Sequence, residues 1–75
     1  MEKYSDLGRN SNIYAYEIGS DYINVQFKDG SIYKYTYSSA GTTNIEQMKK
    51  LAINGKGLNS FINTSVKKRY SSKIR

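Results

Sequence analysis

The chain contains no cysteine, no histidine and no proline. Without cysteine there is no disulfide and no thiolate chemistry, a usage that fits a reducing cytoplasm. Without histidine the commonest metal ligand and the usual general base near neutral pH are both missing. No apolar run approaches the ~20 residues of a membrane span, and Met1-Glu2-Lys3-Tyr4-Ser5-Asp6 lacks the apolar stretch of a signal peptide. A cytoplasmic protein with no membrane partner is the expectation.

Acidic residues also run out. Residues 1–46 hold four basic and six acidic side chains, whereas residues 47–75 hold Lys49, Lys50, Lys56, Lys67, Lys68, Arg69, Lys73 and Arg75 and no acid. The formal charge of +6 therefore divides into −2 and +8. Such an asymmetry implies attraction to a polyanion or to an acidic protein surface. Part of it has a structural explanation as well, because cations in the last turn of a helix are favoured by its dipole.

At 75 residues the chain makes one domain. A domain so short buries only about 60% of its unfolded surface; association into a homodimer would add to its stability, but a monomer is equally compatible with its size. Most of the apolar side chains available lie in the stretch from Tyr22 to Tyr37. Ile23, Val25 and Phe27 alternate with Asn24, Gln26 and Lys28, the period of a half-buried strand. Ile32 to Tyr37 is rich in aromatic and β-branched residues, and Asp29-Gly30 between the two runs signals a hairpin.

Two registers are open, and loop length separates them. A two-residue loop places Phe27 opposite Ile32 and Val25 opposite Lys34, and leaves Tyr33, Tyr35 and Tyr37 on a polar face suited to stacking bases. A three-residue loop, Lys28-Asp29-Gly30 with a left-handed Gly30, pairs Phe27 with Ser31, Val25 with Tyr33 and Ile23 with Tyr35. The second register is favoured: it gathers the large side chains on one face, and burial contributes about 25 cal/mol per Å2. Tyr33 and Tyr35 then point inward beneath the helices.

Before the hairpin, residues 1–10 are polar and without period and read as a flexible arm. Ser11 to Ile18 reads as a first strand, with Ile13 and Ala15 on one face and Tyr14, Tyr16 and Ile18 on the other; alternation alone does not say which is inward. After the hairpin, Thr43-Asn44-Ile45-Glu46 has the spacing of a capping box. Ile45, Met48, Leu51 and Ala52 share one helical face, and Gly55 suits a left-handed stop, so a helix is expected over 44–54. Leu58, Phe61, Ile62 and Val66 define a second helix over 58–69, whose stripe Tyr70 continues. Residues 71–75 form a basic tail. The expected fold is α+β: a three-stranded antiparallel meander followed by two C-terminal α-helices packed on one face.

The hairpin pattern with Tyr33-Lys34-Tyr35, followed by Asn63-Thr64-Ser65-Val66-Lys67-Lys68-Arg69-Tyr70, resembles the KTSC domain. That small domain is named for the C-terminus of some lysyl-tRNA synthetases and also occurs as stand-alone bacterial and phage proteins. The resemblance runs from Ser11 to Tyr70, with 11–70 as a single domain. Two features depart from it: the family's Val-Pro after Tyr-x-Tyr is absent, and Lys67 stands where the family has arginine, losing bidentate geometry. The resemblance implies no enzyme activity and a role in RNA binding suggested by the synthetase context.

No catalytic constellation is present: Asp6, Asp21, Asp29 and Glu46 are scattered over turns and the capping-box position, the hydroxyl residues have no histidine partner, and Gly55-Lys56-Gly57 lacks P-loop spacing. No cofactor and no metal are expected. The first functional expectation is a nucleic-acid-binding domain, RNA in particular. Lys67, Lys68, Arg69, Lys73 and Arg75 would contact phosphates, Asn63 would meet a phosphate or a base edge, and Tyr70 would stack. Against this, Asn63 has a structural reading in helix packing, and Tyr70 one in docking the last helical turn. The alternative expectation is a phage or bacterial interaction or inhibitor module, binding an acidic protein surface or a nucleotide-like ligand.

Overall fold

The structure, a computed structural model, describes residues 1–9 and 11–75. Strand β2 (Ile13–Ile18), β3 (Tyr22–Phe27) and β4 (Ile32–Thr36) form the expected antiparallel meander. Two further two-residue strands extend it: β1 (Glu2–Lys3) pairs with β2, and β5 (Ser72–Lys73) pairs with β4. The sheet has five strands in sequence order, not three.

The β3–β4 hairpin takes the three-residue register. Ile23 faces Tyr35 and Val25 faces Tyr33. The Phe27 amide donates to the Ser31 carbonyl at 2.8 Å, and Gly30 turns the chain at φ +93°. Only glycine holds that angle without strain. Ile23, Val25 and Tyr35 are buried on one face, while Asn24 and Lys34 sit opposite each other on the other.

Strand β2 settles which of its faces is inward by using parts of both. Its pairing with β3 slips between Ile13 and Ala15, so that Ile13 faces Phe27 while Tyr16 faces Val25 and Ile18 faces Ile23. The extra residue of this bulge moves the strand from one alternation to the other. Ala15 is buried, yet its partner Gln26 and the neighbouring Glu17–Asn24 pair belong to the outer face.

The helices cover the inner face. A one-turn helix, α1 (Tyr37–Ala40), begins where the last strand residue was expected, and α2 (Thr42–Asn54) follows after Gly41 alone. The capping box forms at Thr36 and Ser39, at the start of α1, and not at Thr43 and Glu46. Gly41 occupies the cap of α2, and its carbonyl accepts the first helical bond from Ile45, so Thr43 is already inside the helix. Glu46 is engaged elsewhere: it accepts from the Tyr37 hydroxyl at 2.6 Å and from Lys49 Nζ at 2.9 Å. Ile45, Met48 and Ala52 are buried as their spacing predicts, and Gly55 ends the helix in the left-handed conformation.

The last helix is shorter than its apolar stripe suggests. Helix α3 (Leu58–Phe61) passes directly into a π-helical turn, Ile62–Val66, and stops there. Thr64 Oγ1 donates to the Ser60 carbonyl at 3.0 Å inside the widened turn. Lys67 to Tyr70 are thus beyond the last helical turn, with Lys67 as its cap, so the three cations follow that turn and do not lie within it. The chain leaves because the sheet offers it partners: the Ser71 amide reaches the Lys34 carbonyl at 2.6 Å, and the Ile74 amide reaches that of Ile32 at 2.7 Å. These bonds saturate the edge of β4, which would otherwise present unpaired groups. The basic tail is thereby part of the sheet.

The expected N-terminal arm is equally engaged, with Asn10 outside the described residues. Tyr4 is 3% exposed and belongs to the core. Its amide donates to the Tyr14 carbonyl at 3.0 Å, its hydroxyl accepts from the Leu58 amide at 3.3 Å, and Leu7 donates to the Gly55 carbonyl at 2.7 Å. Among the described residues no helix is long and apolar enough to cross a membrane.

Removing residues 1–5 is therefore expected to lower stability by about 3 kcal/mol or more, since truncating a buried aromatic side chain alone costs about that much. Tyr4→Phe, which forfeits one hydrogen bond, should cost about 1 kcal/mol. Urea titrations of the three forms check this. A second expectation concerns alkali. Burial, followed by the neighbouring Tyr33 and Tyr70, pushes the Tyr35 hydroxyl up to about 12 from its ordinary 10.0. The folded state prefers the neutral phenol, so this contribution is intact below pH 10 and disappears as pH rises toward 12. Denaturation midpoints should fall over that range less steeply in Tyr35→Phe than in the unaltered protein.

Candidate functional site

One end of the inner face is left open where the helices stop. The π-helical turn brings Ile62 and Asn63 to this end, and the turn that follows brings Lys67 and Tyr70. The hairpin contributes Phe27, Lys28, Asp29, Ser31 and Tyr33, and Asn12 comes from the approach to β2. Together they line a groove of about 470 Å3, within the size range of small-molecule sites.

Aromatic rings form its floor. Tyr33 stands edge-on to Phe27, with centroids 5.8 Å apart and planes at 78°. Tyr70 lies 4.7 Å from Tyr33 at 59° and 6.3 Å from Tyr35 at 90°. These are the tilted and edge-to-face arrangements that aromatic quadrupoles favour. Tyr70 is held between two sheet tyrosines and is still 40% exposed. It does not continue the apolar stripe of a helix; it closes the groove from the sheet side. Tyr35 points inward as expected, whereas Tyr33 is only half-buried because the helical cover ends beside it.

The polar groups are distributed around this floor. At the hairpin tip, Asp29 Oδ1 accepts from the Ser31 amide at 2.9 Å and from its hydroxyl at 2.6 Å. These bonds, the hydroxyl one first, hold the Asp29 carboxyl below its ordinary range, and the charge of Lys73 adds to the effect. Lys28 pairs with Asp6 at 3.3 Å. The other ion pair among the described residues joins Lys49 to Glu46. Lys67, Lys68, Arg69, Lys73 and Arg75 take part in neither.

Of the residues expected at a site, Asn63, Lys67 and Tyr70 meet in the groove. Lys73 and Arg75 border a second, shallower hollow on the far side of the hairpin tip, lined also by Gln26, Asp29, Gly30 and Ser31. The two hollows share Asp29 and Ser31, so the tip separates one basic flank from the other. Lys73 Nζ lies 5.8 Å from the centre of the Tyr33 ring. Lys68 and Arg69 are exposed and line neither hollow. Asn12, Asp29 and Ser31 were not foreseen: each belongs to a turn or loop of ordinary composition, and only the folded hairpin sets it beside the π-helical turn. Among the described residues no three acidic side chains gather as metal ligands would.

No protein-family model matches the chain, and neither a curated protein nor a solved structure does so.

Replacing Ser31 by alanine removes the hydroxyl bond that contributes most to the lowered Asp29 value. The carboxyl should titrate closer to its ordinary 3.8 in Ser31→Ala, as followed by NMR of the carboxyl carbon. An unchanged midpoint would assign the lowering to the Ser31 amide bond, which alanine retains, and to the charge of Lys73.

Proposed function

We propose that this chain is a small non-enzymatic RNA-binding domain, of the kind that the KTSC resemblance implies, working in the cytoplasm through its basic C-terminal segment. The observation that carries the reading is the set of five cations, Lys67, Lys68, Arg69, Lys73 and Arg75, without an ion-pair partner among the described residues, of which Lys67 lines an aromatic groove and Lys73 and Arg75 border the hollow across the hairpin tip from it. Unopposed cations on a solvated surface attract polyanions, and neutralising phosphates releases their condensed counterions. An aromatic floor distinguishes such a surface from a merely basic one, since bases stack on aromatic faces.

Each residue has a role in this reading. Lys67 and Lys73 stand at the two sides of the hairpin tip and meet phosphates, with Arg75 beside Lys73. Lys68 and Arg69, outside the groove, strengthen the long-range attraction. Lysine at position 67 offers a point charge where arginine would offer a fork, so affinity rests on charge more than on geometry. Asn63 faces the groove and is available to a base edge or a sugar hydroxyl.

The test is a titration with single-stranded RNA at two salt concentrations. Binding should weaken steeply as salt rises. Exchanging Lys67, Lys73 and Arg75 together for glutamine should reduce the slope of log K against log salt by about 2, near 0.7 for each phosphate that is no longer neutralised. Undetectable or salt-insensitive binding at tens of micromolar would overturn the reading.

A further inference from the structure

The groove differs in kind from the basic rim around it. A rim of cations accepts any polyanion, duplex or single-stranded, because phosphates carry no sequence information. The groove instead combines a partly exposed ring, a set of hydrogen-bonding groups and little room. Tyr70 is fixed by Tyr33 and Tyr35 and turns the rest of its surface outward. An aromatic platform already held in place loses little conformational freedom when a second ring settles on it. Around it stand the side-chain amides of Asn12 and Asn63, each with donor and acceptor, and the Asp29 carboxylate oriented by Ser31. These groups match the mixed donors and acceptors of a nucleobase edge. A paired base offers neither its faces nor that edge, since stacking and pairing conceal both.

Resting on the RNA reading above, we propose that the groove takes one unpaired nucleobase of a single strand, stacked on Tyr70. Asn12, Asn63 and Asp29 read its edge. The phosphate on one side of the nucleotide runs to Lys67, and that on the other crosses the hairpin tip to Lys73 and Arg75. The stacking surface is accordingly Tyr70, which joins the site only because the last helix ends at Val66. The sheet tyrosines Tyr33 and Tyr35 serve as its backing.

The experiment compares a short unpaired RNA with the same strand annealed to its complement, by fluorescence anisotropy at low salt. The single strand should bind more tightly than the duplex. Tyr70→Ala should weaken the single strand by roughly 5- to 150-fold, leave duplex binding almost unchanged and keep the salt slope. Tyr70→Phe should retain the preference. In the unaltered protein, NMR should show close approach of the Tyr70 ring protons to those of a base, which keeps the test independent of how the alanine variant folds. Equal binding of both RNAs with no such approach would overturn the base site while leaving RNA binding intact. Absence of binding to either RNA would remove the underlying reading. Displacement of the strand by polyglutamate as effectively as by unlabelled RNA would reduce the interaction to charge and overturn the base site.

Discussion

Gly30 at φ +93° sets the pairing of the central hairpin, and the pairing decides what every large side chain near it does. A shift of one residue would turn Tyr33 and Tyr35 to the outer face and bring Lys34 under the helices. With the observed register, Ile23, Val25 and Tyr35 form a floor for Ile45, Met48 and Ala52 from α2 and for Leu58, Ile62 and Val66 from the last helical segment. The Lys34 side chain remains on the opposite face, where its ammonium lies 4.5 Å from the centre of the Tyr22 ring.

Much of this was readable in the amino-acid sequence because the forces involved are local or periodic. The alternation of Ile23, Val25 and Phe27, the turn at Gly30, the stripe of Ile45, Met48 and Ala52 and the stop at Gly55 each concern residues within a turn or two of one another. What sequence order concealed was decided by distant partners. Nothing in Glu2-Lys3 or Ser72-Lys73 marks a strand; each becomes one because a longer strand has an unpaired edge to offer. Tyr4 is drawn into the core by Leu58, 54 positions away. Thr43 and Glu46 have the right spacing for a cap, but the neighbouring one-turn helix brings the start of α2 forward, and Tyr37 takes the carboxylate.

The candidate site follows the same division. Asn63, Lys67 and Tyr70 lie within eight residues and share a recognisable pattern, so their proximity was foreseeable. Their setting was not. The change from α- to π-helical geometry at Ile62 and the exit of the chain after Val66 carry these residues to the open end of the sheet, beside Asp29 and Ser31. Irregular helical turns of this kind are frequent where side chains must be re-aimed for binding. The stripe of Leu58, Ile62 and Val66 reads as uninterrupted helix because the three recur every four residues, and all three are buried although the geometry changes at Ile62.

The two-residue border strands have a bearing on how the molecule behaves in company. A chain rich in tyrosine and β-branched residues, with long alternating runs, has the composition from which side-by-side polymers grow. Here each margin of the sheet is occupied by a segment of the same chain that is too short to template another, and each carries a lysine, Lys3 on one side and Lys73 on the other. Short and charged borders of this sort resist the addition of a foreign strand. The terminal residues therefore act against strand-by-strand growth at either margin.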